Sequence, residues 1–171
     1  MISANYQKDM AIALPGQVSD TSRYNVDGAC VLMQDAAHLS HLPCGLAVHV
    51  AAVGADGVKE VQQLGDGKVP YGVLIRSHYA THSDANGQMC YYNGDGANVL
   101  TTGRVWMVAD SDFTPTFGTP VKLDNMGRCK ETGAIAPTGW TYAGGKTAFP
   151  VLGTGNKGEY IRLLEVQLHQ L

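Results

Sequence analysis

Short apolar stretches separated by turn-forming residues run through most of this chain. No long stretch keeps the 3.6-residue period of an amphipathic helix. The stretches are rich in Val, Leu and Tyr, and Gly, Asp and Asn cluster between them, which is typical of strands joined by tight turns. The pattern predicts an all-β fold with strands at 29–34, 46–53, 58–64, 71–79, 88–93, 98–109, 120–123 and 160–168.

The turns between these strands have a simple chemistry. Each contains a glycine that can adopt a positive φ at little cost, usually after Asp or Asn. We therefore expect several hairpins, built at Gly57, Gly67, Gly87, Gly96 and Gly127. A chain of such hairpins favours a β-sandwich or a jelly-roll-like barrel.

Two of the predicted strands are apolar on both faces. In the last one, Ile161 and Leu163 share a face and Leu164 begins the opposite phase, which suggests a β-bulge in a central, buried strand. The strand around Trp106 is also apolar on both sides, so a second layer must cover it. That layer is either a loop of the same chain or another subunit.

Two segments do not fit the strand pattern. Residues 1–20 contain Pro15-Gly16 and should not form a stable element alone, so we expect an extended N-terminal arm before a single β domain at 21–171. Residues 132–158 are rich in Gly, Thr, Ala and Pro. They predict a long loop that displays Trp140, or weak strands near 149–152.

Composition and charge exclude several functions. A net charge of -3 gives no basic surface for nucleic acid. The apolar stretch 10–14 is too short to cross a membrane or to act as a signal sequence, so we expect a soluble protein made in a cytoplasm. The widely spaced cysteines, Cys30, Cys44, Cys90 and Cys129, form no C-x-x-C pair and should be free buried thiols.

The densest group of possible metal ligands is His38, His41, Cys44 and His49. Imidazole and thiolate are the usual zinc ligands, but this spacing fits no zinc-finger pattern. An ordinary loop, with His49 on the solvent face of a strand, is the better explanation of the group. The sequence also lacks a G-x-S-x-G elbow and a phosphate loop. We expect no cofactor and no enzymatic activity.

The order of several motifs resembles the structural cement proteins of tailed bacteriophage capsids. Pro15-Gly16-Gln17-Val18-Ser19-Asp20 comes first, followed by Gly45-Leu46-Ala47-Val48 and Pro70-Tyr71-Gly72-Val73-Leu74. Gly103-Arg104-Val105-Trp106-Met107 and Thr119-Pro120-Val121 complete the series. The resemblance covers most of the chain and depends on the order and spacing of these motifs.

This resemblance implies a capsid decoration subunit without catalytic residues. Such a protein would be a dimer or trimer, bind the major capsid protein on the outer surface of the virion, and assemble in the host cytoplasm. The arm could bind by adding a strand to a neighbour's sheet. The candidate contact residues are Ile12, Leu14, Gln17, Val18, Trp106 and Trp140. The alternative is a phage tail or carbohydrate-binding protein, which would display its tryptophans on loops.

Overall fold

A computed structural model of the chain describes residues 13–20, 23–36, 40–78, 82–151 and 159–169. Within these ranges every regular element is a strand, which confirms the all-β prediction. The strands are β1 (Asn25–Leu32), β2 (His41–Pro43), β3 (Ala47–Val53), β4 (Lys59–Gln63), β5 (Gly72–Leu74), β6 (His82–Ser83), β7 (Met89–Tyr92), β8 (Gly96–Ala109), β9 (Trp140–Pro150) and β10 (Tyr160–Leu168). No helix among the described residues could span a membrane.

Five strands close into a barrel. They follow the order β1-β4-β3-β5-β8, and β8 pairs back with β1 to complete the circle. The β1–β4 pair is parallel, and the other pairs of the barrel are antiparallel. Closure removes the exposed edges that an open sheet of these strands would present to other chains. The strands β10 and β9 extend the sheet beyond the barrel.

The long strand β8 joins the barrel to this extension. Its first half pairs with β1 and β5, and its second half pairs with β10 from Gly103 to Ala109. Gly103 stands at the change of partners, with a φ of +121° that side chains rarely adopt. A Cβ at this position would lie 2.7 Å from the Cβ of Tyr24. Glycine therefore allows β8 to pass from one layer to the other.

The last strand is central, as predicted, but the change of phase within it has another cause. β10 pairs with β8 without interruption from Arg162 to Leu168. Its register shift lies on the side of β9, where Leu164 pairs with Lys146 and Val166 pairs with Tyr142. The extra residues thus belong to β9. The two apolar phases of β10 face two different hydrophobic clusters.

The region expected to be a long Gly-rich loop contains a full strand. β9 runs from Trp140 to Pro150, so the loop prediction for 132–158 is wrong over that range, and residues 152–158 lie outside the described residues. Conversely, 120–123 is not a strand, because Pro120 and Leu123 make only isolated bridges. The predicted strand 71–79 is shortened to Gly72–Leu74. The small sheet β2-β7-β6 stands beside the barrel.

Two clusters of buried side chains form the interior. The first cluster combines residues of the barrel, the small sheet and one face of β8 and β10, and includes Leu42, Tyr91, Trp106 and Leu163. The second cluster lies on the opposite face of β8 and β10 and includes Met107, Trp140 and Leu164. Both faces of β8 are therefore covered by the chain itself. The sequence had left open whether the same chain or another subunit covers this strand.

Candidate functional site

The motif from Pro15 to Asp20 lies along the second half of β8. The N–H of Gly16 donates to the carbonyl of Trp106, and the N–H of Trp106 donates to the carbonyl of Gln17. Ser19 continues this antiparallel pairing with Arg104, and Val18 bridges Val105. In the described part of the expected arm, residues 13–20, the stretch 16–19 thus pairs with β8 of the same chain, with one β-bridge at Val18. The division at residue 20 stays a prediction, since residues 1–12 lie outside the described ranges.

Side chains reinforce this pairing from both sides. Ser19 Oγ donates a hydrogen bond to Glu165 Oε1 on β10. The guanidinium of Arg104 lies 3.3 Å from Asp20 Oδ2, and its Nε donates to Gln167 Oε1 at 2.9 Å. Hydrogen bonds to charged groups are stronger than neutral ones, so these contacts fasten the segment to β8 and β10 together.

Trp106 fills the face of β8 that belongs to the first cluster and is 8% exposed. Its neighbour across the sheet is Glu165. Gly145 of β9 approaches the indole so closely that a Cβ there would lie 2.6 Å from the ring. Trp106 is therefore enclosed by its own chain, and the glycine next to the β9 bulge makes room for it.

Trp140 begins β9 and is only 1% exposed, so the expectation that a loop displays it is wrong. Its Nε1–H donates to His169 Nε2 at 3.3 Å. A buried indole N–H needs such an acceptor, because leaving it unpaired costs free energy. The residue anchors the second cluster.

Leu14, Gln17, Val18 and Trp106 come together at the second half of β8, whereas Trp140 lies in the second cluster. Leu14 and Val18 are partly buried against the two clusters, and Gln17 is exposed. Ile12 lies outside the described residues. The roles of all six as contact residues stay a prediction.

The histidine and cysteine group does not form a chelating site among the residues that the structure describes. Cys44 is fully buried, and burial raises the pKa of its thiol to about 12. His49 is 6% exposed, and its Nδ1 lies 3.0 Å from the carbonyl oxygen of Gln63, so its expected place on a solvent face is wrong. No three His, Cys, Asp or Glu side chains of the described ranges could hold a metal, and His38 lies outside them. His41 instead packs against Tyr92.

The four cysteines are free and buried, as predicted. The thiol pKa values of Cys30 and Cys129 are also raised by burial. A thiol in this state is a poor nucleophile, because the thiolate is the reactive form. The cysteines therefore serve as packing residues.

An ionic contact that the sequence did not reveal joins three parts of the barrel. Asp27 of β1 pairs with the ammonium of Lys59 at 2.8 Å and accepts a hydrogen bond from the hydroxyl of Tyr71. These contacts lower the pKa of Asp27 from 3.8 to about 2, and the contact with Lys59 has the largest effect. The pKa of Tyr71 is raised, chiefly by burial. Only folding brings positions 27, 59 and 71 together, so spacing could not have indicated them.

The surface carries large apolar side chains in loops and at the end of a strand. Val69 is 82% exposed, Phe117 is 72% exposed, and Val53 is 62% exposed. Each of these residues stands next to Gly or Pro in the sequence. An apolar residue beside a turn-forming residue was therefore the sequence pattern that could have predicted their exposure. Exposed apolar residues on a rigid scaffold suit contact with another protein, whereas single ones are also common on ordinary surfaces.

Comparisons with known proteins agree with this arrangement of motifs. The family described as "Structural cement protein (E217 gp24/Pam3 gp6)" matches residues 2–166. A chain of the solved structure "The capsid of Myoviridae Phage XM1" is 17% identical with a TM-score of 0.67, over 97% of this chain and 96% of that chain. At this identity the likeness shows the fold. No curated protein matches the chain. Since the family match spans nearly the whole sequence, the chain belongs to the structural cement proteins of phage capsids.

Proposed function

We propose that this cement protein binds the assembled major capsid protein on the outer surface of the virion, as a homodimer or homotrimer assembled in the host cytoplasm. The family match over residues 2–166 is the observation that carries the proposal. A ligand that binds only the assembled shell stabilises it by mass action. A symmetric oligomer can engage several subunits at once, so individually weak contacts suffice.

The exposed apolar side chains in the loops and at the end of β3 are the contacts that we propose for the shell. Val53, Val69 and Phe117 are exposed, and the strands that hold them belong to a closed or paired sheet. A side chain on such a scaffold loses little conformational freedom on binding, which lowers the entropic cost of association. Among the described residues of the original candidates, Gln17 is the exposed one, and its Oε1 accepts a hydrogen bond from the N–H of Leu14 at 3.0 Å.

The alternative carbohydrate-binding function loses its main support. It depended on exposed Tyr and Trp side chains, and both tryptophans, Trp106 and Trp140, are buried. The proposed role also needs no catalysis, cofactor, nucleic acid or membrane. The net charge of -3 agrees with a protein partner, because binding to nucleic acid requires clustered positive charge.

Co-sedimentation with capsids that lack the protein tests this proposal. We expect the wild-type protein to sediment with capsids, and Val69→Asp with Phe117→Asp to weaken binding about tenfold or more, since each places a charge in a desolvated contact. Ser83→Asp with Asn125→Asp adds the same two charges at exposed positions that share no groove with Val69 or Phe117, and this double variant serves as the control. Mass measurement in solution gives the oligomeric state. Absence of wild-type binding would overturn the function, whereas equal binding of all variants would overturn only the contact assignment.

A further inference from the structure

Two Asn-Gly pairs, Asn86-Gly87 and Asn93-Gly94, lie on either side of β7. Both glycines have a positive φ, +77° at Gly87 and +90° at Gly94, as tight turns require. Asparagine is a thermally labile residue, and a following glycine leaves the neighbouring backbone nitrogen without steric hindrance. The two pairs share this chemistry, so a difference in their reactivity must come from the folded structure.

The reaction open to such a pair is deamidation through a succinimide ring. The backbone nitrogen of the glycine forms a bond to Cγ of the asparagine, the Cγ–Nδ2 bond breaks, and the nitrogen's proton leaves with the amide as ammonia. Water then opens the ring at either carbonyl and produces aspartate or isoaspartate, so water is the one reactant needed. The attack requires the nitrogen and Cγ to approach each other, which hydrogen bonds to other groups prevent.

Asn93-Gly94 is fastened to other parts of the chain. Asn93 Oδ1 accepts a hydrogen bond from the N–H of Gln34 at 2.9 Å, and its Nδ2 donates to the carbonyl of Gln34 at 3.2 Å. The N–H of Gly94 donates to the carbonyl of Leu32 at 2.8 Å, and the N–H of Asn93 donates to the carbonyl of Ser40 at 3.0 Å. Both reacting groups of this pair are therefore held by contacts that are distant in sequence.

Asn86-Gly87 is held by its own turn. Asp84 Oδ1 accepts from the N–H of Asn86 at 2.9 Å, and the carbonyl of Asp84 accepts from the N–H of Gly87 at 3.0 Å. The side-chain amide of Asn86 has no hydrogen-bond partner among the residues that the structure describes, so its Cγ can rotate. Freeing this pair breaks bonds within the turn, which costs less free energy than releasing 93–94 from other segments.

We propose that Asn86 is a site of spontaneous deamidation in the folded protein, and that the fold protects Asn93 from the same reaction. The rate at each site follows the fraction of molecules in which the pair is locally open, because local opening and closing are fast compared with ring formation. Asn93 is the more exposed of the two asparagines, so exposure alone would give the opposite order.

Deamidation at Asn86 changes a surface groove between the small sheet and the end of β8. Asn86 lines this groove together with Asp84, Leu42 and Val108. The reaction adds a negative charge there. Isoaspartate also lengthens the main chain by one carbon, and the described parts of β6 and β7 pair at two positions, so little pairing resists the change.

Peptide mapping of the full-length protein after long incubation at physiological temperature tests this assignment. Chymotrypsin cleaves after Tyr91 and Tyr92 and places the two asparagines in different peptides. Mass spectrometry then gives the rate of conversion at each site, in the folded protein and in urea. We expect Asn86 to convert in the folded protein, and folding to slow Asn93 at least about tenfold more than Asn86.

The rates in urea are the matched reference, since unfolding removes the contacts of both pairs. Equal slowing at the two sites, greater slowing at Asn86, or no conversion of Asn86 in the folded protein would overturn the proposal. Asn86→Gln should abolish the conversion in its peptide, because glutamine must form a larger ring and reacts more slowly, and should leave Asn93 unchanged. If the peptide of this variant still gains the same mass, another residue is modified and the proposal is equally overturned.

Discussion

Gly57 and Gly127 have nearly the same positive φ but different surroundings. Comparing them separates the energetic cost of a positive φ from that of a steric clash with an added Cβ. Gly57 and Gly127 have φ values of +83° and +82°. A Cβ on Gly57 meets nothing within 4 Å, whereas one on Gly127 would lie 2.2 Å from the carbonyl oxygen of Ala47. The N–H of Ala47 also donates to the carbonyl of Gly127 at 2.9 Å, so the two backbones cannot separate freely.

We therefore predict very different effects of the same substitution at these two positions. Gly57→Ala should lower the free energy of unfolding by about 1 kcal/mol, the cost of a positive φ. Gly127→Ala should lower it by about 3 kcal/mol or more, because the start of β3 must move. Urea unfolding of both variants measures the difference, and equal losses would contradict the close approach of Gly127 to Ala47.

The lowered pKa of Asp27 predicts how the stability of the protein changes in acid. Its pKa in the folded protein, about 2, is below the ordinary value of 3.8, so the folded state holds its proton less tightly than the unfolded state. The stabilisation is therefore complete above about pH 5 and is lost as the pH falls from about 4 to 2. Asp27→Asn should lower the free energy of unfolding at neutral pH by roughly 1 kcal/mol and flatten this part of the pH profile.

Acid unfolding followed by circular dichroism checks this prediction. Asp66→Asn is the control, since Asp66 is an exposed turn residue. If Asp27→Asn retains the full loss of stability between pH 4 and 2, the ion pair with Lys59 does not stabilise the barrel.

Strands with a continuous apolar pattern were predictable, and β8 was predictable despite its Gly103, whereas β9 with two adjacent glycines was not. The bounds of β10 agree with the sequence, and β3, β4, β7 and β8 agree within two residues. β9 contains Gly144-Gly145, which breaks the alternation that reveals a strand. The structure shows the reason, because Gly145 must leave space for the ring of Trp106. A tertiary contact that requires glycine thus hides the strand that contains it.

The surroundings of the candidate contact residues were harder to predict than the strands, for a related reason. The sequence singled out the second half of β8 and the motif at 15–20, but it did not indicate that they pair with each other. His49 and Trp140 were expected at the surface and are buried. Burial of such residues depends on how the sheet closes and what covers it, and a local pattern carries no information about that closure.

The pairing between the N-terminal segment and β8 gives a prediction at Ser19. Ser19→Pro removes the N–H that donates to the carbonyl of Arg104 and the hydroxyl that donates to Glu165. We expect the amide of Trp106, which donates to Gln17, to exchange its hydrogen about tenfold faster or more as the segment loosens.

Ser19→Ala provides the matched control for this measurement. It keeps the backbone hydrogen bond and removes only the hydroxyl, so the exchange of Trp106 should change much less. Amides within the barrel should be protected equally in both variants. If Trp106 exchanges at the wild-type rate in Ser19→Pro, the segment does not protect this edge of β8.

The molecule as a whole should unfold as one cooperative unit. The first cluster contains side chains from the barrel, from the small sheet and from β10, and β8 contributes to both clusters. Separate opening of the small sheet would expose Leu42 and Tyr91, which are 2% and 1% exposed, and would cost several kcal/mol of buried apolar surface.

The buried cysteines report on this cooperativity. Cys30 lies in the barrel, Cys90 in the small sheet and Cys129 in the second cluster, and burial raises the pKa of each thiol. A thiol-specific reagent should therefore fail to label the native protein and should label all of the cysteines at one common rate when the protein unfolds. Peptide mapping after short exposure in moderate denaturant measures the individual rates. Faster labelling of Cys90 would show that the small sheet opens separately, and the subunit would then not be a single rigid body.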